Sequence, residues 1–223
     1  MKLIIDHADL NIIKGIYEYF PVSGVTTNPT IITRTGKEPY EVLTSIREFI
    51  GPEAQLHAQV ISTDAEGMIK EAAVMREKVG GNFFVKIPTT KEGLKAMKNL
   101  AKDGFQITAT AVYSAIQAYL AAEAGAAYVA PYLNRIENLG YNGVQTICDI
   151  QDIFENNKMD TKILAASFKN TQQLLELAKY GIAAATVAPD VIENLIKNDS
   201  VDCAVNAFVV DFNRTYGDGK TMM

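Results

Sequence analysis

From Leu3 to Val187 the sequence repeats one unit eight times: a short apolar run, a polar corner, then an amphipathic segment. The apolar runs are Leu3–Asp6, Val22–Thr26, Leu56–Val60, Phe83–Ile87, Ile107–Ala111, Tyr128–Tyr132, Ile163–Ser167 and Ala184–Val187. They show little strict alternation, as parallel strands covered on both faces do. Eight strand–helix units in 223 residues predict an α/β fold closed on itself, a (β/α)8 TIM barrel forming one domain over residues 1–223. An open doubly wound sheet is the alternative. It usually has fewer strands and a glycine-rich first turn, and no GxGxxG or Walker-type loop occurs here.

Helix boundaries are written into the corners. Thr63 with Glu66, Thr89 with Glu92, and Ser114 with Gln117 have the capping-box spacing, in which the hydroxyl takes a free backbone N–H and the acid or amide reaches back. Gly80, Gly125 and Gly181 sit where helices should end in a left-handed residue. A last amphipathic segment, about 201–216, lies beyond the eighth unit and predicts an extra C-terminal helix, followed by a polar tail that is loose or laid on a neighbouring subunit.

Composition narrows the function classes. The net charge is −5, from 21 basic and 26 acidic residues, with no basic stripe. Nucleic acid and anionic membrane are therefore not expected partners. Cys148 and Cys203 fit no CxxC pattern and read as reduced, mostly buried thiols. The first apolar run stops at Asp6, too short for a signal-peptide core, and no stretch approaches the ~18 apolar residues of a membrane span. The expected location is the cytoplasm.

In such a barrel the chemistry gathers where strands end. The runs end in or deliver Asp6, Thr26-Thr27-Asn28, Gln59, Lys86, Thr108 and Thr110, Tyr132 with Asn134-Arg135, and Ser167. Polar groups converging from seven strands are costly to bury without a use, so they predict a lined pocket. Lys86, inside Asn82-Phe83-Phe84-Val85-Lys86-Ile87-Pro88, stands out. Burial there favours loss of its proton, and a neutral amine is what attack on a carbonyl requires. The alternative is a lysine snorkelling at a strand end or paired with Asp6. Arg135 and Ser167, with a helix start near Asn170-Thr171 and Lys169 between, suggest a phosphate site, since loops after the last strands and a helix N-terminus are its usual place. His7 and His57 lack the companions of a metal site, and no metal is expected. His57 shares the inward face with Gln59 one layer deeper and reads as packed core.

The stretches Gly24-Val25-Thr26-Thr27-Asn28-Pro29, Phe84-Val85-Lys86-Ile87-Pro88, Thr110-Ala111-Val112-Tyr113, Tyr128-Val129-Ala130-Pro131-Tyr132 with Asn134-Arg135, and Ala165-Ala166-Ser167-Phe168 run through nearly the whole chain. In them the chain resembles the small transaldolase family, most of all its fructose-6-phosphate aldolases. The resemblance implies class I aldol chemistry with no metal or cofactor and sugar phosphates as substrates. It makes Lys86 the Schiff-base lysine, gives Asp6 and Asn28 to the donor hydroxyls, and has Thr110 help place a catalytic water. Arg135 and Ser167 match the phosphate-binding pair. Thr26, Asn134 and Lys169 are further candidate binding residues. A homo-oligomer, decamer or pentamer, is also implied, its C-terminal helix reaching a neighbour.

Two positions separate the subfamilies. By the resemblance, transaldolases carry glutamate where Gln59 stands and phenylalanine where Tyr132 stands. Glutamine does not accept and release a proton as glutamate does, so the Tyr132 phenol, through a water held by Gln59 and Thr110, takes over that role. Transaldolase proper remains a rival, and so does a sugar-phosphate-binding barrel without catalysis.

Overall fold

A computed structural model describes residues 1–223. The chain divides into two compact units, Met1–Ile192 and Glu193–Met223. The first is a closed parallel barrel in the strand order β1-β2-β3-β4-β5-β6-β7-β8. Its strands are β1 Lys2–Asp6, β2 Gly24–Thr26, β3 Gln55–Gln59, β4 Phe83–Pro88, β5 Ile107–Val112, β6 Tyr128–Pro131, β7 Lys162–Ala165 and β8 Ala184–Val187. All eight runs are strands, and β1 closes on β8 through Lys2↔Ala184 to Ile5↔Val187. The helices are α1 Leu10–Tyr19, α2 Pro29–Thr33, α3 Pro39–Ile50, α4 Ala65–Val79, α5 Lys91–Lys102, α6 Ala115–Glu123, α7 Leu133–Asn138, α8 Gly143–Asn156, α9 Thr171–Tyr180, α10 Pro189–Glu193 and α11 Asp199–Tyr216.

Two layers of side chains fill the fold. Outward residues such as Ile5, Val25, Leu56, Val85 and Ile107 join the surrounding helices in one large core. Inward residues Ile4, Phe84, Tyr128, Leu164 and Ala184 form a second cluster. His57 belongs to this inner layer as expected: it is fully buried, stacked on Phe84 with ring centroids 4.5 Å apart, and its Nδ1 meets Thr108 Oγ1 at 2.9 Å. Burial, with Lys86 and Arg47 nearby, holds its pKa well below the usual histidine value, so it stays neutral.

The helix starts correct the sequence expectation twice. Helix α4 (Ala65–Val79) is capped by Asp64, whose carboxylate accepts from Gly67 N, and α5 (Lys91–Lys102) by Thr90, which accepts from Gly93 N. Thr63 and Thr89 each lie one residue too early. The Thr89 hydroxyl instead donates to the Thr110 carbonyl at 3.0 Å and ties β4 to β5. Only Ser114 caps as predicted, starting α6 (Ala115–Glu123). Gly80, Gly125 and Gly181 end their helices with φ of 60°, 92° and 90°. Gly93 matters for a different reason: a Cβ there would fall 1.8 Å from the Pro88 carbonyl oxygen, so only glycine lets α5 start against the end of β4, two residues past Lys86.

The second unit carries α11 (Asp199–Tyr216), begun by the Asn198 cap and holding no buried residue. Val201, Val205, Phe208 and Val209 are all exposed on it. Cys203 is exposed there too, against the expectation of buried thiols; Cys148 is buried, and both are free. Residues 217–223 form no helix or strand.

Candidate active site

Lys86 sits in β4 in register with Gln59 of β3 and Thr108 of β5. It is 5% exposed, inside the barrel at the strand-end mouth. Its Nζ donates to the Thr27 carbonyl oxygen at 2.8 Å, and no carboxylate pairs with it. Burial lowers its pKa below the ordinary lysine value, and the Asp6 carboxylate opposes this without reversing it. The alternative of a Lys86–Asp6 ion pair is therefore not what the chain adopts.

Asp6 is engaged elsewhere. Thr26 Oγ1 donates to Asp6 Oδ1 at 2.8 Å and lies 2.5 Å from Thr186 Oγ1, so one hydroxyl joins β1, β2 and β8. Asn28 caps the short helix α2 (Pro29–Thr33): its Oδ1 accepts from Ile31 N at 3.0 Å, which leaves its NH₂ free to turn toward a ligand. On the opposite side, Thr110 Oγ1 meets the Tyr132 hydroxyl at 2.7 Å. The two hydroxyls touch directly. Gln59, half-buried beside Lys86, makes no side-chain hydrogen bond and keeps its amide available. The arrangement is a buried, neutral-prone amine on β4, with a carboxylate at the end of β1 and a phenol just past the end of β6. That set suits carbonyl attack and proton transfer, and contains no group of acidic, histidine or cysteine ligands for a metal.

A family model described as transaldolase/fructose-6-phosphate aldolase matches residues 3–218. The chain belongs to this family. Membership makes it an enzyme of the aldolase/transaldolase class, with sugar phosphates as its substrate class. Among solved structures it is similar to a cube-shaped, highly porous protein cage designed by fusing symmetric oligomeric domains. That match covers 97% of this chain and 78% of the other, at TM-score 0.61 and 13% identity, a likeness of fold alone.

The candidate phosphate groups lie at the ends of β6 and β7. Arg135, on α7 (Leu133–Asn138), is exposed, lies over the Tyr132 ring at 4.8 Å and donates to the Tyr113 hydroxyl at 3.2 Å. That bond raises its pKa further. Ser167 follows β7 with φ of 66°, a left-handed conformation rare for serine, and its carbonyl accepts from Asn134 N at 3.0 Å. That bond sets Ser167 against the residue before Arg135, and no hydrogen bond joins the Ser167 and Arg135 side chains. Lys169 is exposed; its backbone N–H donates to Gln173 Oε1, and its ammonium bonds to nothing in the chain. Helix α9 (Thr171–Tyr180), capped by Asn170, starts beside them as predicted.

Three contacts escaped the sequence reading. Thr186 hides in Ala184-Ala185-Thr186-Val187, where a β-branched residue passes for strand filler; its spacing of two from inward Ala184 was the only signal. The role of Thr27 lies in its backbone carbonyl, which no residue type advertises. Tyr113, edge-on to Tyr132 at 5.6 Å, lies within a quoted motif but had no assigned use.

Proposed function

We propose that the chain is a class I aldolase that reversibly cleaves fructose 6-phosphate to dihydroxyacetone and glyceraldehyde 3-phosphate. The observation that carries this reading is Lys86: a buried amine bound only to a backbone carbonyl, with its pKa lowered by burial. Such an amine is free to attack the C2 ketone, and loss of water leaves a protonated imine. A base removes the C4 hydroxyl proton, the C3–C4 bond breaks, and its electrons pass into the imine. Glyceraldehyde 3-phosphate departs, its phosphate held by Arg135 and Ser167 with Lys169 beside them. The enamine of dihydroxyacetone stays on Lys86, with its hydroxyls near Asp6, Thr26, Asn28 and Asn134. Tyr132, paired with Thr110 and assisted by a water on Gln59, returns a proton to carbon, and hydrolysis frees the product.

Aldolase is preferred to transaldolase because of the Gln59 and Tyr132 pair. Fructose 6-phosphate supplied alone should yield free dihydroxyacetone. Activity that appears only when erythrose 4-phosphate is added would assign the chain to group transfer instead. The same reading makes it a cytoplasmic homo-oligomer, decamer or pentamer. The exposed apolar residues of α11 support assembly, and sedimentation of the intact chain tests it.

A further inference from the structure

We propose that the Thr27 carbonyl is the fixed acceptor for the Lys86 N–H throughout imine chemistry, and that the Thr27 hydroxyl is the positioning group that holds this carbonyl in place. This rests on the Schiff-base reading of Lys86. Thr27 belongs to no element: β2 ends at Thr26, and Asn28 already caps α2. A peptide in such a gap is free to turn unless tied. Here it is tied on both sides. Thr27 N–H and Thr27 Oγ1 both donate to the His57 carbonyl, at 2.8 and 3.2 Å. Beyond it, Asn28 accepts from Ile31 N with its side chain and from Ile32 N with its carbonyl, each at 3.0 Å. His57 in turn is held by its stack on Phe84 and its bond to Thr108. The line from His57 through Thr27 to Lys86 is buried along its length.

The chemistry gives this acceptor a use. An ammonium has three N–H bonds, a free amine two, and a protonated imine one. As Lys86 attacks C2 and water departs, the nitrogen keeps one proton, and Thr27 is the one acceptor it meets in the resting site. A carbonyl aimed at that proton in a dry site favours the cationic imine, the form that receives the C3–C4 electron pair. Nitrogen retains its proton while the pair moves into C2=N; none passes to Thr27. A fixed N–H direction also fixes the plane of the imine, and so the face of the enamine that an aldehyde meets.

The test compares Thr27→Val, Thr27→Ala and Thr27→Ser. Each is read by borohydride trapping of the dihydroxyacetone adduct across pH, by kcat and KM, and by the diastereomer ratio of the reverse aldol product. Val and Ala should lower trapped adduct and kcat about 10-fold, the worth of one buried hydrogen bond, with KM changed less than about twofold. Their pH midpoint should move to lower pH, since the cationic nitrogen loses its aligned acceptor, and their diastereomer ratio should fall. Ser, which keeps the hydroxyl, should restore all of these. Folded Val and Ala variants with wild-type trapping, pH profile and diastereomer ratio would overturn the proposal. If Val does not fold, the Ala and Ser pair decides it. Absence of any Lys86 adduct in the wild-type protein would sink the Schiff-base reading itself. A wild-type adduct with unaffected Thr27 variants would remove this inference alone.

Discussion

At the strand-start mouth of the barrel lies the larger cavity, about 670 Å³, rimmed by Lys2, Gln106, Lys158 and Lys162 with Gln55 and Tyr128 at its floor. At the strand-end side a smaller cleft of about 490 Å³ reaches Asp6 between Ile31, Arg34 and Pro189, and neither Lys86 nor Tyr132 lines it. Size would choose the first. Hydrogen bonding chooses the strand-end mouth. The lysines of the strand-start mouth lie in water and carry no ion pair. At the other end Lys86 is sealed from water, Thr26 joins three strands, and Thr110 faces Tyr132. A lysine becomes a nucleophile through what surrounds it, and an open bowl surrounds it with nothing.

Substitutions at the two mouths should separate them by orders of magnitude. Lys86→Met should abolish cleavage, by ~10⁴-fold or more, as loss of a nucleophile does; residual borohydride-trappable adduct in that variant would break the contrast. Tyr132→Phe should lower kcat by roughly 10²-fold, the usual share of a positioned acid or base, measured in the cleavage assay. Arg135→Ala should raise KM for fructose 6-phosphate by roughly 10-fold or more, since hydrogen bonds to charged groups contribute about 1.5–3 kcal/mol. KM for unphosphorylated dihydroxyacetone should hardly move. Lys162→Gln, at the other mouth, should change neither constant by more than about twofold.

The same contrast carries a pH signature. The Lys86 pKa is lowered below its ordinary 10.5, so burying the ammonium costs stability at every pH below the depressed value. As pH rises through that value the folded chain sheds the proton first, and the cost shrinks, vanishing above the ordinary pKa. Lys86→Met should therefore be more stable than wild type near neutrality, with the gap closing as pH approaches 10.5. Urea midpoints at several pH values measure the gap.

Much of this was legible in the sequence. All eight strands were, because buried parallel strands must be short, apolar and regularly spaced. The strand-end census located Asp6, Gln59, Lys86, Thr110 and Tyr132 at one mouth, because strand polarity alone fixes which end they reach. Two helix starts slipped by one residue, since adjacent positions both hold capping residues. Tertiary demand decided between them: Thr110 claims Thr89, leaving Thr90 to cap. Ser167 has a left-handed backbone that no composition foretells. Cys203 was misread because a helix with no buried residue looks amphipathic in sequence like any other.

The Thr26–Thr186 contact spans 160 positions of the chain. Asp6, Thr26, Thr27, His57 and Lys86 all emerge in the first half of synthesis, yet β8 is the last strand made. Until it docks between β7 and β1, the interior around Lys86 is open to water, and its amine keeps the proton of any surface lysine. A growing chain thus carries its nucleophile in a masked form. Its mostly protonated amine is then a poor nucleophile toward carbonyl compounds, and the closing of the ring is what arms it.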